Sequence, residues 1–334
     1  MSDTLLAAPR VLDAEALPSA VAEAVLDRAL AAPVDAVILD IVGPGAVASL
    51  QGLLTTDVEK PGDGGHAYGA ILTPKGMILS DLWIWREAAG ATLVIPPEGA
   101  DAVREIFTRS LPPRLARVSE RAGMVLLRVA GPETVAALGR VGLTVPEPGR
   151  IQAAITDGIP LHIARPTGPA AFIADLLIAQ EHLETLRRRL ARAGVMVDAP
   201  SGLELARVLA GWPRLGVEIG DKTLPQEVRL DEIGGISYTK GCYTGQETVA
   251  RVHFRGHPNR HLVGLIWDGV PNGAIPDITQ DDQPRGRVGT VLWLEPVERW
   301  IGLALLRREV ALDRPVLAAG AEATVVELPF RIDP

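Results

Sequence analysis

The single cysteine of this 334-residue chain, Cys242, lies in Lys240-Gly241-Cys242-Tyr243-Thr244-Gly245-Gln246-Glu247. Thr244 followed by Glu247 three residues on matches a capping box, in which the hydroxyl satisfies one orphan amide and the carboxylate reaches back to the capping residue. The pattern predicts a helix that starts at Gly245 and carries Thr248-Val249-Ala250-Arg251-Val252. Cys242 would then stand just ahead of a helix N-terminus, whose partial positive charge favours a thiolate, and Lys240 would act in the same direction. Two roles fit the position: a reactive thiol, or the small buried hydrophobe that most free cysteines are.

Directly after this segment come Arg251, His253, Arg255, His257, Arg260 and His261, holding three of the six histidines. His253, His257 and His261 are spaced four apart, which would align them on a helix. Gly256 and Pro258 interrupt such a helix, and no carboxylate or thiol interleaves to complete a ligand set, so no metal site is expected. The arginines favour an anion-binding surface instead. Aromatic residues are only 4% of the chain, so their placement carries weight. Trp83 and Trp85 share one face of a strand, while Tyr238, Tyr243 and Phe254 flank the cysteine segment. They could sandwich a flat ring, although core packing fits each of them singly.

Composition narrows the class. Length allows two or three domains, and 47% hydrophobic residues supply ample core material. One cysteine excludes an internal disulfide and points to a reducing compartment, hence the cytoplasm. The start of the chain has no basic segment of the kind that opens a secretory signal, and no apolar run approaches the ~18 residues of a membrane span. The net charge of -8 argues against a broad nucleic-acid footprint.

An internal repeat bounds the fold. The stretch Val37-Ile38-Leu39-Asp40-Ile41-Val42-Gly43-Pro44 continues through Val47-Ala48 to Leu50, and it aligns with the segment that begins at Val125, 88 residues later. Gly131-Pro132, Val135-Ala136 and Leu138 match in the second copy. Each copy predicts a strand, a Gly-Pro turn and a helix, then a second strand and helix, at residues 92–95 with 101–109 and at 174–178 with 181–193. Two β-α-β-β-α-β units of ferredoxin-like type are the economical interpretation. Pro74-Lys75-Gly76 between alternating apolar runs predicts a hairpin across residues 70–85. Linkers are expected near 111–114 and 198–202. After Pro258, short strands at 261–267, 287–294, 300–306 and 323–328 predict a small antiparallel barrel, with a long mobile loop at 268–284.

The octapeptide around Cys242, continuing into Val249-Ala250-Arg251 and Phe254-Arg255-Gly256, resembles the signature of YgfZ-type folate-binding proteins, relatives of the glycine-cleavage T-protein, an aminomethyltransferase that uses tetrahydrofolate. Further matches are Leu50-Gln51-Gly52-Leu53-Leu54-Thr55-Thr56-Asp57, Leu72-Thr73-Pro74-Lys75-Gly76, Arg207 with Gly211 and Gly216, Pro225-Gln226-Glu227 and Gly302-Leu303-Ala304, so the likeness spans nearly the whole chain. It implies an α+β fold, a T-protein-like ring of two ferredoxin-like units and a C-terminal antiparallel β-barrel around a folate-sized hole. The first unit would occupy 1–112 and be completed by 200–256, the second 113–199, and the barrel 257–334. That return of the chain would bring Cys242 near Asp81 and Trp83. Tetrahydrofolate or a derivative, bound without a covalent link, would be held by Lys240, Tyr243, Gln246, Glu247, Arg251, Arg255, Arg207 and Trp83.

Two departures from the transferase pattern matter. Where T-proteins carry two successive carboxylates, this chain has Ser80-Asp81. The stretch Arg207-Val208-Leu209-Ala210-Gly211 replaces a pterin-contacting glutamate by Leu209, which cannot accept the ring's N–H donors. Glu218 and Glu227 are the carboxylates that could take over. The resemblance therefore implies an accessory factor in iron–sulfur cluster assembly or repair, linked indirectly to tRNA modification, rather than a functional aminomethyltransferase. Cys242 would be its working group, iron–sulfur enzymes or assembly proteins its partners, and the monomer its expected state. The alternative is a tetrahydrofolate-dependent one-carbon transferase working through Asp81.

Overall fold

The computed structural model describes residues 17–168, 170–271 and 277–331. Helix α1 (Ser19–Leu26) and strand β1 (Leu30–Val34) precede the first copy of the repeat, which runs β2 (Val37–Val42), α2 (Ala46–Gln51), β3 (His66–Leu72), β4 (Ile78–Glu87), β5 (Gly90–Ile95), α3 (Pro97–Ser110) and β6 (Arg117–Glu120). The second copy runs β7 (Met124–Ala130), α4 (Thr134–Arg140), β8 (Ile151–Thr156), β9 (Ile159–Ala164), β10 (Ala174–Ala179), α5 (Gln180–Arg192) and β11 (Met196–Val197). The sheets have the orders β3-β4-β5-β2-β6 and β8-β9-β10-β7-β1-β11, so the order of the first four strands recurs, while β11 joins the second sheet through β1 and not directly beside β7. Each unit holds one strand more than a four-stranded β-α-β-β-α-β pattern, because a three-stranded meander separates its two helices. In the second copy the meander turns at Asp157-Gly158, both at positive φ, the backbone that a two-residue hairpin turn needs.

Chain that precedes the first copy joins the second sheet. β1 pairs antiparallel with β7 and parallel with β11, inserting N-terminal chain into the second sheet. β6, which lies beyond residue 112, closes the first sheet against β2. Helices α2 and α3 cover one face of the first sheet through Leu50, Val103 and Phe107. Its other face, with Tyr68, Trp83 and Trp85, meets the rest of the molecule in a core shared with Leu126, Leu177 and Trp212.

After α6 (Pro200–Ala210) the chain returns across the first unit: Ile78 donates its amide to the Thr223 carbonyl at 3.0 Å and Ser237 to Thr55 at 2.9 Å. Helix α7 (Gln246–Arg255) leads into a closed antiparallel barrel of β12 (Arg260–Trp267), β13 (Asp277–Gln280), β14 (Gln283–Leu294), β15 (Arg299–Arg307), β16 (Val316–Ala318) and β17 (Ala321–Val326). The four strands predicted from sequence are present. β13 and β16 are too short to carry a periodic signal, and β13 falls within the expected loop 268–284, of which 272–276 lie outside the described residues. Among the described residues no helix is long and apolar enough to cross a membrane.

Candidate functional site

Cys242 is exposed, which removes the buried-hydrophobe reading. The loop that carries it is built differently from the capping box expected. Helix α7 begins at Gln246, the capping position is Gly245 with φ of 83°, and no side chain caps it. A Cβ at Gly245 would lie 2.6 Å from the Thr73 carbonyl oxygen and 3.0 Å from Gly76 Cα. Glycine is needed here both for the left-handed backbone and for the approach to the β3–β4 hairpin turn. Gly245→Ala is expected to cost about 1–3 kcal/mol, read as a lower urea midpoint, and to loosen the Cys242 loop.

Lys240 does not face the thiol. Its ammonium donates to the carbonyls of Gln51, Leu54 and Thr56 at 2.6, 2.6 and 2.9 Å, holding the turn that follows α2. Burial lowers its pKa to about 8, against the opposing pull of Asp57 and Glu59. Tyr243 is buried, 5.2 Å from the Lys240 nitrogen, and burial raises its hydroxyl pKa. Gln226 donates to the Val249 carbonyl at 2.8 Å and so ties α7 to the returning chain. Gln246 is half-buried, while Glu247, Arg251 and Arg255 are exposed.

Glu247 and Arg251 border an open cleft of about 910 Å³ together with Lys75, Lys222, Arg260 and Arg307. Arg260 is already committed to Glu227, at 2.6 and 2.9 Å. The histidine row does not form one face: α7 ends at Arg255, His253 stacks on Tyr238 at 3.7 Å, and His257 meets Arg308. Among the described residues no three or more His, Cys, Asp or Glu are placed to hold a metal.

A second centre forms around Asp81. Successive residues of β4 face opposite sides of the sheet, so Ser80 turns toward α3, where a Cβ on Gly99 would come 2.1 Å from its hydroxyl. Asp81 and Trp83 turn into a cavity of about 410 Å³ walled also by Arg128, Phe172, Arg207 and Trp212. The surviving carboxylate is thus the cavity-facing one. Tyr68 donates its hydroxyl to Asp81 Oδ2 at 2.9 Å, whereas Oδ1 is buried without a partner among the described residues. Burial pushes the Asp81 pKa up to about 6; the Tyr68 bond opposes the shift and nearby Glu98 adds to it.

The other candidate ligand contacts are spent. Arg207 uses all five N–H donors on Glu204 (2.7 and 2.8 Å), Glu218 (3.0 Å), the Trp212 carbonyl (2.6 Å) and Thr290 (2.6 Å). It frames the cavity wall and has no donor left for a ligand. Glu218 accepts from Arg207, Thr290 and the Arg214 amide. Glu227 takes Arg260 and the Leu224 amide. Neither carboxylate is free to replace the glutamate lost at Leu209, which packs on the central core.

Trp83 does not wait for a ring to be sandwiched. It lies between His66 at 4.9 Å and Trp212 at 5.7 Å, each within 14° of parallel, the spacing of direct aromatic stacking. Trp83 and Trp212 border both the Asp81 cavity and an adjoining one of about 530 Å³. Cys242 borders neither, so the structure does not bring the thiol to Asp81 and Trp83.

Tyr68, Arg128, Phe172 and Trp212 escaped the sequence reading. Tyr68 pairs with Trp83 across the hairpin, but a bulge at Ile71/Leu72 shifts the register that a simple count from the turn would give. Arg128 is placed by Asp175, whose two oxygens it binds at 2.8 Å, and its guanidinium caps the Phe172 ring at 3.8 Å.

Residues 36–234 match the family model described as the GCVT N-terminal domain. The chain is 30% identical over 260 residues to the tRNA-modifying protein YgfZ of Edwardsiella ictaluri, covering 76% of each chain. It is 30% identical over 281 residues to that of an Enterobacter species, covering 81% of this chain and 82% of the relative. Among solved structures, the glycine cleavage system aminomethyltransferase T from Bartonella henselae superposes with a TM-score of 0.77 at 18% identity, over 93% of this chain and 88% of that one, a likeness of fold.

Proposed function

The chain belongs to the GCVT N-terminal domain family and, within it, groups with the YgfZ relatives; from that premise we propose that it is a folate-binding accessory factor that supports iron–sulfur cluster assembly or repair, and through it tRNA modification, with Cys242 as the working group. The observation that carries this reading is the separation of the exposed thiol from the ligand-sized cavity at Asp81. A thiol borne on the outer surface can meet a partner protein while the cavity holds a small molecule.

The cavity's volume of about 410 Å³ lies within the range of ligand sites. The orphaned Asp81 Oδ1 fits the N–H donors of a reduced pterin, and Arg128 and Trp212 would flank the bound ring. A cluster takes four thiolates as a rule, and this chain offers one. Cys242 therefore shares ligation with a partner protein or glutathione, or performs thiol chemistry that leaves iron alone. The anionic chain acts as a cytoplasmic monomer on iron–sulfur enzymes or their assembly proteins without itself binding tRNA.

A specific observation favours the second reading, a tetrahydrofolate-dependent one-carbon transferase: the carboxylate that survives is the one facing the cavity. Calorimetric titration with tetrahydrofolate separates the two when combined with variants. Saturable micromolar binding is expected, unchanged in Cys242→Ala and weakened at least about tenfold, 1.4 kcal/mol, in Asp81→Asn. Support of an iron–sulfur tRNA-thiolating enzyme should disappear in Cys242→Ala. If that support survives Cys242→Ala and is lost in Asp81→Asn, the transferase reading replaces the first; absence of binding to the wild type removes the folate site.

A further inference from the structure

Helix α7, the hairpin turn after β3 and one end of the barrel border the open cleft of about 910 Å³, which a folate site at Asp81 does not explain. Five basic and three acidic residues line it. Two of the carboxylates are taken, Glu227 by Arg260 at 2.6 Å and Glu309 by Arg308 at 3.7 Å. Lys75, Lys222, Arg251 and Arg307 are exposed and have no ion pair among the described residues, so four cations border the cleft against Glu247 alone.

The positive charge continues onto the barrel. Arg260 and Arg307 are register partners in the β12–β15 ladder, and Arg287 pairs with Leu305, two residues before Arg307, so the three side chains project from one face. All three border an adjoining cleft of about 510 Å³. Like charges opposite each other across a ladder destabilise a sheet. An anion from outside the chain would relieve that repulsion.

The lining selects the kind of anion. Glu247 in the first cleft, and Asp221 and Asp277 in the second, stand among the cations, where they would repel a phosphodiester backbone that is negative at every repeat. Among the described residues neither cleft has an aromatic side chain on which a base could stack. Pro74, Met77 and Leu224 add apolar wall, and the guanidinium forks suit carboxylates. Mixed charge with a basic excess and apolar wall fit a polypeptide rich in Asp and Glu. The clefts share Lys222, Arg260 and Arg307, so together they leave room for several residues of extended chain.

The thiol is close by. A Cβ on Gly76 would lie 2.8 Å from Thr248 Cβ, so α7 packs on the hairpin turn that carries Pro74 and Lys75. Cys242 precedes Gly245, which touches the same turn, by three residues, at most about 11 Å of extended chain.

We propose that the two clefts form a docking groove for an acidic segment of a partner protein, held there beside Cys242. The inference rests on the reading of Cys242 as the group that meets a partner, and it adds the chemistry by which that partner is recognised.

The test titrates a fluorescein-labelled deca-glutamate peptide with the full chain and follows its anisotropy at low and at physiological salt. The net charge of -8 repels such a peptide from the chain as a whole, so binding reports a local basic site. The variants are Arg251→Gln/Arg307→Gln, Cys242→Ala, and Arg192→Gln as a control, since Arg192 is exposed on α5 and borders neither cleft. Both groove arginines are exposed, so the double variant should keep the wild-type melting temperature. The expected result is saturable binding that weakens with salt, falls at least about tenfold in the double variant, and is unchanged in Arg192→Gln and Cys242→Ala. Support of the tRNA-thiolating enzyme should fall in the double variant too. No saturable binding up to the millimolar range overturns the proposal, as does binding that the double variant leaves intact, or tighter binding of a thymidine decanucleotide. A double variant that loses the peptide yet keeps full support of the enzyme also overturns it. Full support in Cys242→Ala would remove the thiol reading instead, and peptide binding lost in the double variant would still uphold the groove.

Discussion

Arg207→Met lowers the free energy of unfolding by about 3–5 kcal/mol, the cost of stranding a buried charge. Glu218 is the charge left behind: its side chain is wholly inaccessible, and Arg207 is its partner at 3.0 Å. The same guanidinium holds Glu204 on α6, the Trp212 carbonyl after the helix and Thr290 on β14, so it fastens the barrel to the units beneath. Burial opposes the charge on Arg207, but Glu218 and Glu204 outweigh it and raise its pKa. Urea unfolding should show a lower midpoint. The double variant Arg207→Met/Glu218→Gln should recover part of the loss, since the uncompensated carboxylate is gone. A single-variant loss below about 1 kcal/mol would mean that Glu218 finds water or Arg214 instead, and that the network is not what joins the barrel.

The contrast between Arg207 and Cys242 shows where sequence information runs out. Local signals were legible: the Gly-Pro turns after β2 and β7, the Pro74-Lys75-Gly76 hairpin and the four longer barrel strands all follow from turn chemistry and period. The placement of β1 was not, because Leu30-Ala31-Ala32-Pro33-Val34 carries no mark of which sheet it joins. At the site, exposure of Cys242 and the burial of Asp81 depend on chain far away in sequence. Arg207 and Lys240 stand among the ligand contacts that the family resemblance implies. The structure spends both on internal acceptors: carbonyls for Lys240, carboxylates, a carbonyl and a hydroxyl for Arg207. What a buried cation donates to is set by tertiary packing, and spacing alone does not encode it.

Asp81→Asn is expected to gain about 3 kcal/mol on the wild type between pH 3 and pH 7, the equivalent of roughly two pKa units. The folded pKa of Asp81, about 6, stands above its ordinary 3.8. Between those values the folded chain holds a proton that the unfolded chain has lost. The Asp81 contribution is therefore fully present below pH 4 and is lost as pH rises through 6. Asparagine keeps an acceptor for the Tyr68 hydroxyl and has nothing to ionise, so it escapes that loss. Denaturant midpoints of the two proteins at a series of pH values give the difference directly; parallel curves would mean that water or a neighbour solvates Oδ1 and that the group titrates normally. At pH 7 the wild type thus keeps a buried, half-satisfied carboxylate at a cost in stability, a pattern that follows when a group is selected for what it binds. A ligand with an N–H donor for Oδ1 would offset that cost. Tetrahydrofolate should therefore raise the melting temperature of the wild type at pH 7 more than that of Asp81→Asn, and equal shifts would place the ligand elsewhere.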